Sequence, residues 1–296
     1  MDKLKVGVVG IGHLGKEHAR IYSELENVEL VGLADIDPAK AAKAKELGVP
    51  FYQDSRELLP QIQAVSIAVP TSVHYEVAKE FLARGVHTLV EKPMASSVEE
   101  ADALIELAVK HRCSFQVGHV ERFNPAFRAL ENVLGRLRFI EIHRLGPFTP
   151  RVSDCGVVLD LMIHDIDIIL GLIDSEVENL DAVGVNVLTG FEDIANVRLR
   201  FRNGCVADLT ASRLTPEKQR KIRIFQDDAY ISLDYGSQSA QIYRKQDGTI
   251  AREELDIKKE EPLRSELAEF VDSVRTGRGW GKPDTQARHA LELALR

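Results

Sequence analysis

Two hydrophobic rhythms divide the chain. Up to about residue 118, apolar residues come in short unbroken blocks separated by stretches with helical spacing. Blocks of this kind suit strands buried on both faces of a parallel sheet. They predict strands over 5–9, 29–34, 64–69, 86–90 and 114–117, with a short one at Phe51-Tyr52. Helices are expected over 16–25, 39–47, 55–59, 73–84 and 97–110. Strand and helix in alternation mean a doubly wound parallel sheet. After Gly118 the grammar changes. A helix is expected over 125–134, a strand over 137–145 and one strongly apolar helix over 157–173. Strands then follow in series over 179–188, 194–201, 205–212, 221–226, 229–235 and 239–244. Ala195, Val197, Leu199 and Phe201 alternate with Asn196, Arg198, Arg200 and Arg202, the period of a sheet with one buried face. Asn203-Gly204 and Asp247-Gly248 are hairpin turn signals. Leu263, Leu267, Phe270 and Val274 recur at helical spacing over 262–275, and 287–296 reads as a helix that simply stops, as it would in a trimmed chain. The expected fold class is α/β: a dinucleotide-binding domain over 1–118, then an α+β domain over 119–296 built on a large, mainly antiparallel open sheet.

The first block ends in a turn with specific chemistry. Gly10, Gly12 and Gly15 stand at G-x-G-x-x-G spacing between a strand and a helix. The first glycine permits a tight turn out of the strand, the second leaves the backbone open to a pyrophosphate, and the third lets the helix lie close on the sheet. The helix N-terminus then presents N–H groups and a positive dipole end to phosphates. Asp35 follows the second strand, 20 residues past Gly15, where an acid meets the ribose hydroxyls of the adenosine. A carboxylate there repels a 2′-phosphate, and Ile36-Asp37-Pro38 supplies no arginine to receive one, so NAD is expected over NADP. The competing account is a ligand-free turn, with Asp35 capping the next helix.

Composition narrows the partners. The chain has 296 residues, enough for two domains, a formal net charge of −8 and no basic cluster, which argues against nucleic acid. Cys113, Cys155 and Cys205 are far apart and odd in number, which suits a reducing, cytoplasmic setting rather than a disulfide framework. No apolar run reaches membrane-spanning length and no apolar leader precedes the first strand, so neither a membrane nor a secretory route is expected.

Two further stretches carry chemistry. Glu91-Lys92-Pro93 directly follows the fourth main strand, and strand C-termini in an open α/β sheet face the ligand crevice. A lysine there reaches a substrate hydroxyl and a nicotinamide ribose, and a cis Pro93 would fix its direction. An exposed strand-end lysine before a proline turn is the plainer alternative. In the apolar stretch 157–173, Asp160 and His164 are four apart and share a helix face. Histidine is the natural base for a hydroxyl proton near neutral pH, and Asp160 would orient it or meet the substrate. The alternatives are a solvated helix face, or a metal site with Asp165 or Asp167 as further ligands. The lack of a second nearby histidine or cysteine speaks against the metal, and none is expected.

With these residues in view, the chain resembles the Gfo/Idh/MocA family of oxidoreductases over nearly its whole length. The likeness rests on GIGHLGKEHA at 10–19, AVPTSVHYEVA at 68–78, EKPMASSVEEADAL at 91–104, GHVERFNP at 118–125 and LDLMIHDIDIIL at 159–170. It implies a Rossmann domain followed by a substrate domain whose open sheet builds homodimers or homotetramers. It implies Lys92, Asp160 and His164 as the catalytic set. It implies cofactor contacts from Gly10, Gly12, His13, Leu14, Asp35, Pro70, Thr71, His74, Glu91 and Lys92. The expected activity is hydride transfer from a sugar hydroxyl to NAD, with a free polyol as the alternative substrate and a non-catalytic NAD-binding sensor as the alternative role. Within the family, 118–127, 144–154 and 157–168 resemble a subgroup that acts on a nucleotide sugar, which places Glu121, Arg144 and Arg151 at the substrate. Arg144, Arg151 and Arg213 are candidates by type for a diphosphate, each with a solvated surface arginine as the alternative.

Overall fold

A computed structural model describes residues 2–149 and 155–296. The first half follows the block pattern closely: β1 (Leu4–Val9), α1 (His13–Glu24), β2 (Val28–Ala34), α2 (Ala41–Leu47), β3 (Phe51–Tyr52), β4 (Ala64–Ile67), α3 (His74–Leu82), β5 (His87–Glu91), α4 (Val98–Lys110) and β6 (Phe115–Gly118). The strands form one parallel sheet in the order β3-β2-β1-β4-β5-β6. This is the Rossmann order, and it reverses direction between β1 and β4. Val6 and Val8 of β1 and Ala64, Val65 and Ile67 of β4 are fully buried, as a sheet covered on both faces requires.

The remaining elements are α5 (Pro125–Arg128), β7 (Leu137–Leu145), a π-helical turn over Val158–Met162 that runs into α6 (Ile163–Leu172), β8 (Val177–Val185), β9 (Ile194–Phe201), β10 (Val206–Ser212), β11 (Gln219–Gln226), β12 (Ala229–Asp234), β13 (Ser239–Gln246), β14 (Thr249–Glu254), α7 (Pro262–Thr276) and α8 (Thr285–Leu295). Eight strands form a second sheet in the order β14-β13-β12-β11-β7-β10-β9-β8, antiparallel except where β10 runs parallel to β7. The alternation along β9 is obeyed: Ala195, Val197, Leu199 and Phe201 are buried and the arginines between them are exposed. The opposite face carries Arg198–Asp208 and Glu141–Arg223 ion pairs and a ladder of rings from Phe139 through Phe225 and Tyr230 to Tyr243.

Two compact units result: residues up to Val120 with Leu263–Glu292, and Glu121–Pro262 with the last four residues. This differs from a single cut after Gly118. Leu267, Phe270, Val271 and Val274 of α7 belong to the same core as Val6, Val8 and Tyr22, so α7 returns to the first unit. Helical spacing reveals a buried face but not which core will bury it. Two helices also differ from the sequence pattern. The helix expected over 125–134 stops at Arg128, and the one over 157–173 opens with the π-helical turn, a departure that recurs at functional sites.

Candidate active site

The glycine turn occupies the point where the strand order reverses. Gly10 has φ +86°, and a Cβ there would lie 2.6 Å from the Ala68 carbonyl oxygen at the end of β4. A Cβ on Gly15 would overlap the Gly10 carbonyl, so the third glycine is what lets α1 close on the turn. Gly12 is different, because a Cβ there meets nothing within 4 Å. Its bareness serves no contact inside the protein. Gly12 is also the N-cap of α1, contributes no side-chain cap, and precedes a first turn without acidic residues. The N–H groups of that turn are therefore presented to an anion from outside. His13 and Leu14 are exposed beside it.

A cavity of about 440 Å³ adjoins this turn, lined among others by Gly10, Gly12, Asp35, Lys40, Ser55 and Pro70. Asp35 is anchored: one carboxylate oxygen accepts the Ile11 N–H at 2.6 Å and the other the Asp37 N–H at 2.9 Å. Lys40 was not singled out by the sequence, which offers only its position after Pro38. It stands in the same cavity, with its ammonium 3.6 Å from Asp37. A cradle shaped by bare backbone, a helix N-terminus and an anchored acid fits a dinucleotide's pyrophosphate and ribose.

The strand-end residues divide into half-buried and buried ones. Lys92 is half-buried and its bond to Pro93 is cis. Thr71 is half-buried at the start of a 3₁₀ turn. His74 is buried instead, with Nδ1 2.8 Å from the Pro93 carbonyl and Nε2 2.9 Å from the Val69 carbonyl. It ties the loop after β4 to the loop after β5, and burial lowers its pKa. Glu91, expected at the cofactor, points into the protein. Its carboxylate lies 3.0 Å from His18 Nε2. Burial pushes the Glu91 pKa up, but the His18 hydrogen bond and the nearby Lys92 ammonium bring it below the ordinary glutamate value.

In the second unit, Asp160 and His164 are both half-buried on continuous helical backbone. The Gly156 carbonyl accepts the Asp160 N–H at 3.1 Å, and Glu192 caps the start of the turn by accepting the Val158 N–H at 3.2 Å. The neighbouring acids are engaged elsewhere. Asp167 pairs with Arg122 at 2.7 Å, and Asp165 pairs with Arg144 at 3.0 Å and accepts the Tyr235 hydroxyl at 3.1 Å. Acids held by guanidinium groups make poor metal ligands, which removes the basis for the metal alternative.

The substrate-side expectations are redrawn by the same network. Arg144 shares the inward face of β7 with Ile140 and Ile142 and is 4% exposed. Each of its three nitrogens meets a carboxylate of Asp165 or Glu121, and its guanidinium stands 5.1 Å from the Tyr235 ring. Removing one partner from such a buried pair costs about 3–5 kcal/mol. Arg144 and Glu121 therefore occupy one another and Asp165 rather than an open subsite. Arg213 is also 4% exposed and donates to Asp193, Thr189 and the Cys155 carbonyl. Arg151 lies outside the described residues. The alternation of β7 already placed Arg144 on the buried face at position i+2 from Ile142, and that was the readable signal.

The comparisons with known proteins agree with this frame. Residues 4–119 match the profile of the Gfo/Idh/MocA family, an oxidoreductase family with an NAD-binding Rossmann fold, and residues 129–232 match a C-terminal domain of that family. Fold, glycine cradle and profile together define a nicotinamide-dependent oxidoreductase. The chain belongs to the Gfo/Idh/MocA family. It is 37% identical to UDP-N-acetylglucosamine 3-dehydrogenase of Acidithiobacillus ferrooxidans, over all of this chain and 96% of that protein, and the solved structure of that enzyme superimposes with a TM-score of 0.94. Myo-inositol 2-dehydrogenase of Thermotoga maritima is 27% identical over 93% of this chain and 89% of its own. Levoglucosan dehydrogenase shares the fold at 20% identity, with a TM-score of 0.89 over 99% of this chain and 96% of its own. Among the described residues, no helix is long and apolar enough to cross a membrane.

Proposed function

We propose that this protein is an NAD-dependent dehydrogenase that oxidises a secondary sugar hydroxyl, most specifically C3 of UDP-N-acetylglucosamine. The observation that carries the reading is the end-to-end 37% identity with the enzyme of that activity. Lys92, Asp160 and His164 also stand at the family's motif positions. Residues Gly10, Gly12 and Asp35 would hold the dinucleotide, whose nicotinamide supplies the acceptor for hydride from the carbinol carbon. The rest of the chemistry belongs to the chain. His164 takes the hydroxyl proton as general base, Asp160 orients its imidazole or the sugar, and Lys92 donates a hydrogen bond to the oxygen as charge develops on it.

Substrate choice is tested directly by NADH formation from UDP-N-acetylglucosamine, UDP-glucose, free N-acetylglucosamine and myo-inositol. A carbonyl trap draws off an unfavourable keto product. The nucleotide sugar is expected to turn over far faster than the free sugar. Because Arg144 and Arg213 are consumed by internal ion pairs, the diphosphate has to meet other cations, with Arg151 the remaining candidate by type. If that contact is exposed it weakens with salt, and the preference should then shrink as ionic strength rises. Turnover of myo-inositol with every UDP-sugar inert under trapping replaces this reading with a free-polyol dehydrogenase.

Cofactor choice follows from Asp35 and is tempered by Lys40. Asp35 favours the free ribose hydroxyls, and Lys40 in the same cavity is a cation ready for a 2′-phosphate once the carboxylate is gone. Replacing Asp35 with serine should raise the NADPH-to-NADH affinity ratio by at least about tenfold, equivalent to 1.4 kcal/mol. Adding Lys40→Ala should cancel most of that gain. Fluorescence titration of both reduced cofactors measures it, and wild-type protein that binds NADPH as tightly as NADH contradicts the assignment.

A further inference from the structure

We propose that His18 is a positioning residue for the catalytic lysine: through the buried Glu91 carboxylate, it fixes the Lys92-Pro93 turn to the helix that opens at the glycine cradle. The proposal rests on the reading of Lys92 given above and adds to it the device that aims the side chain.

The geometry is closed on every side. The buried face of α1 carries Gly15, His18, Ala19, Ile21 and Tyr22, so a fully buried imidazole sits among small and apolar residues. Its Nδ1 lies 2.7 Å from the Ser66 hydroxyl of β4, and its Nε2 lies 3.0 Å from Glu91 Oε1 at the end of β5. The anionic carboxylate only accepts, so Nε2 carries the proton. The other oxygen, Oε2, accepts the main-chain N–H of Lys92 at 3.3 Å. On the far side stands Gly118 at the end of β6, paired in register with Glu91. A Cβ on Gly118 would come within 3.0 Å of the carboxylate. The carboxylate is thus boxed between a histidine and a bare glycine, and its free oxygen holds the backbone from which Lys92 projects.

Packing alone does not call for this arrangement. An apolar pair of similar volume usually stabilises a core as well as a buried polar pair does, or better. It would not grip the Lys92 N–H. The chain that carries the pyrophosphate helix and the chain that carries the lysine are therefore joined by one hydrogen-bonded link, and a misplacement of about 1 Å at such a point can cost about 10²-fold in rate.

The experiment compares His18→Leu, His18→Gln, Gly118→Ala and Lys92→Met, each as the full chain. Turnover is read with UDP-N-acetylglucosamine, NAD and a carbonyl trap, alongside NADH affinity and the thermal midpoint. His18→Leu and Gly118→Ala should lower kcat by one to two orders of magnitude, to about the 10²-fold limit, with NADH affinity and KM nearly unchanged. His18→Gln, whose amide N–H still reaches Glu91, should recover most of the loss. A merely structural histidine would lower the midpoint and leave kcat of the folded protein intact. Should His18→Leu fail to fold, Gly118→Ala decides, since it keeps the His18 donor on Glu91. Crystal structures of wild type and Gly118→Ala give a readout that holds whatever the substrate is: the Lys92-Pro93 turn is displaced in the variant. Folded His18→Leu or Gly118→Ala with wild-type kcat and an unmoved turn overturns the proposal. An active Lys92→Met overturns the reading of Lys92 itself, whereas an inactive Lys92→Met beside normal His18→Leu and Gly118→Ala overturns only the role of His18.

Discussion

Replacing His164 with alanine, or Lys92 with methionine, should lower turnover by about 10²–10⁴-fold, the range a positioned acid–base group contributes. Each tenfold corresponds to about 1.36 kcal/mol of transition-state stabilisation. NADH affinity should stay nearly intact, because the cavity proposed for the pyrophosphate and adenosine ribose is lined by Gly10, Gly12 and Asp35, and Lys92 adds at most a contact to the nicotinamide ribose. Both side chains are half-buried, so the fold is expected to tolerate the changes. The result to look for is a loss confined to kcat. Near-full activity of His164→Ala at neutral pH makes the histidine a structural residue, and joint loss of activity and NADH binding marks a folding defect.

The three glycines of the turn separate by experiment although they share one motif. Gly15→Ala should strike the fold, because its new Cβ overlaps the Gly10 carbonyl and neither backbone segment has anywhere to go. Overpacking of this kind costs about 1–3 kcal/mol or more, and each kcal/mol lowers the midpoint by about 2–4 °C in a unit of this size. Gly12→Ala should leave the midpoint where it is, since its Cβ enters open space at an ordinary φ of −74°. What it should lose is cofactor affinity, by at least about tenfold, because that open space is where a pyrophosphate would approach the α1 N-terminus. Differential scanning and NADH titration on the two variants read both quantities. A Gly12→Ala protein that binds NADH like the wild type removes the pyrophosphate from this turn.

Much of the first unit could be read from the chain because its signals are local. Apolar blocks of four to six residues, glycines at fixed offsets and an acid after the second strand each constrain a few neighbouring residues, and the parallel order follows from their alternation. The same holds for β9, where every second residue is apolar. The helix after residue 156 was legible as a helix, but its π-helical opening was not. At its start Glu192, 34 residues on, accepts the Val158 N–H, a contact with no local signal.

What the sequence determined by itself is the list of parts: a dinucleotide cradle, a lysine at a strand end, and an aspartate and a histidine one helical turn apart. What only the tertiary structure decided is which charged groups are bound to one another. Arg144, Arg213, Glu91 and Glu121 are chemically plausible ligand contacts in the linear chain. Each is instead committed to a partner between 20 and 73 residues away. Lys40 and His18, unremarkable in the chain, acquire roles only when β1, β4 and β5 bring the cavity and the Glu91 carboxylate beside them. The reason is physical. A buried charge must find an opposite charge or a hydrogen bond wherever the fold places one, and pairings across such distances leave no periodic trace in a sequence.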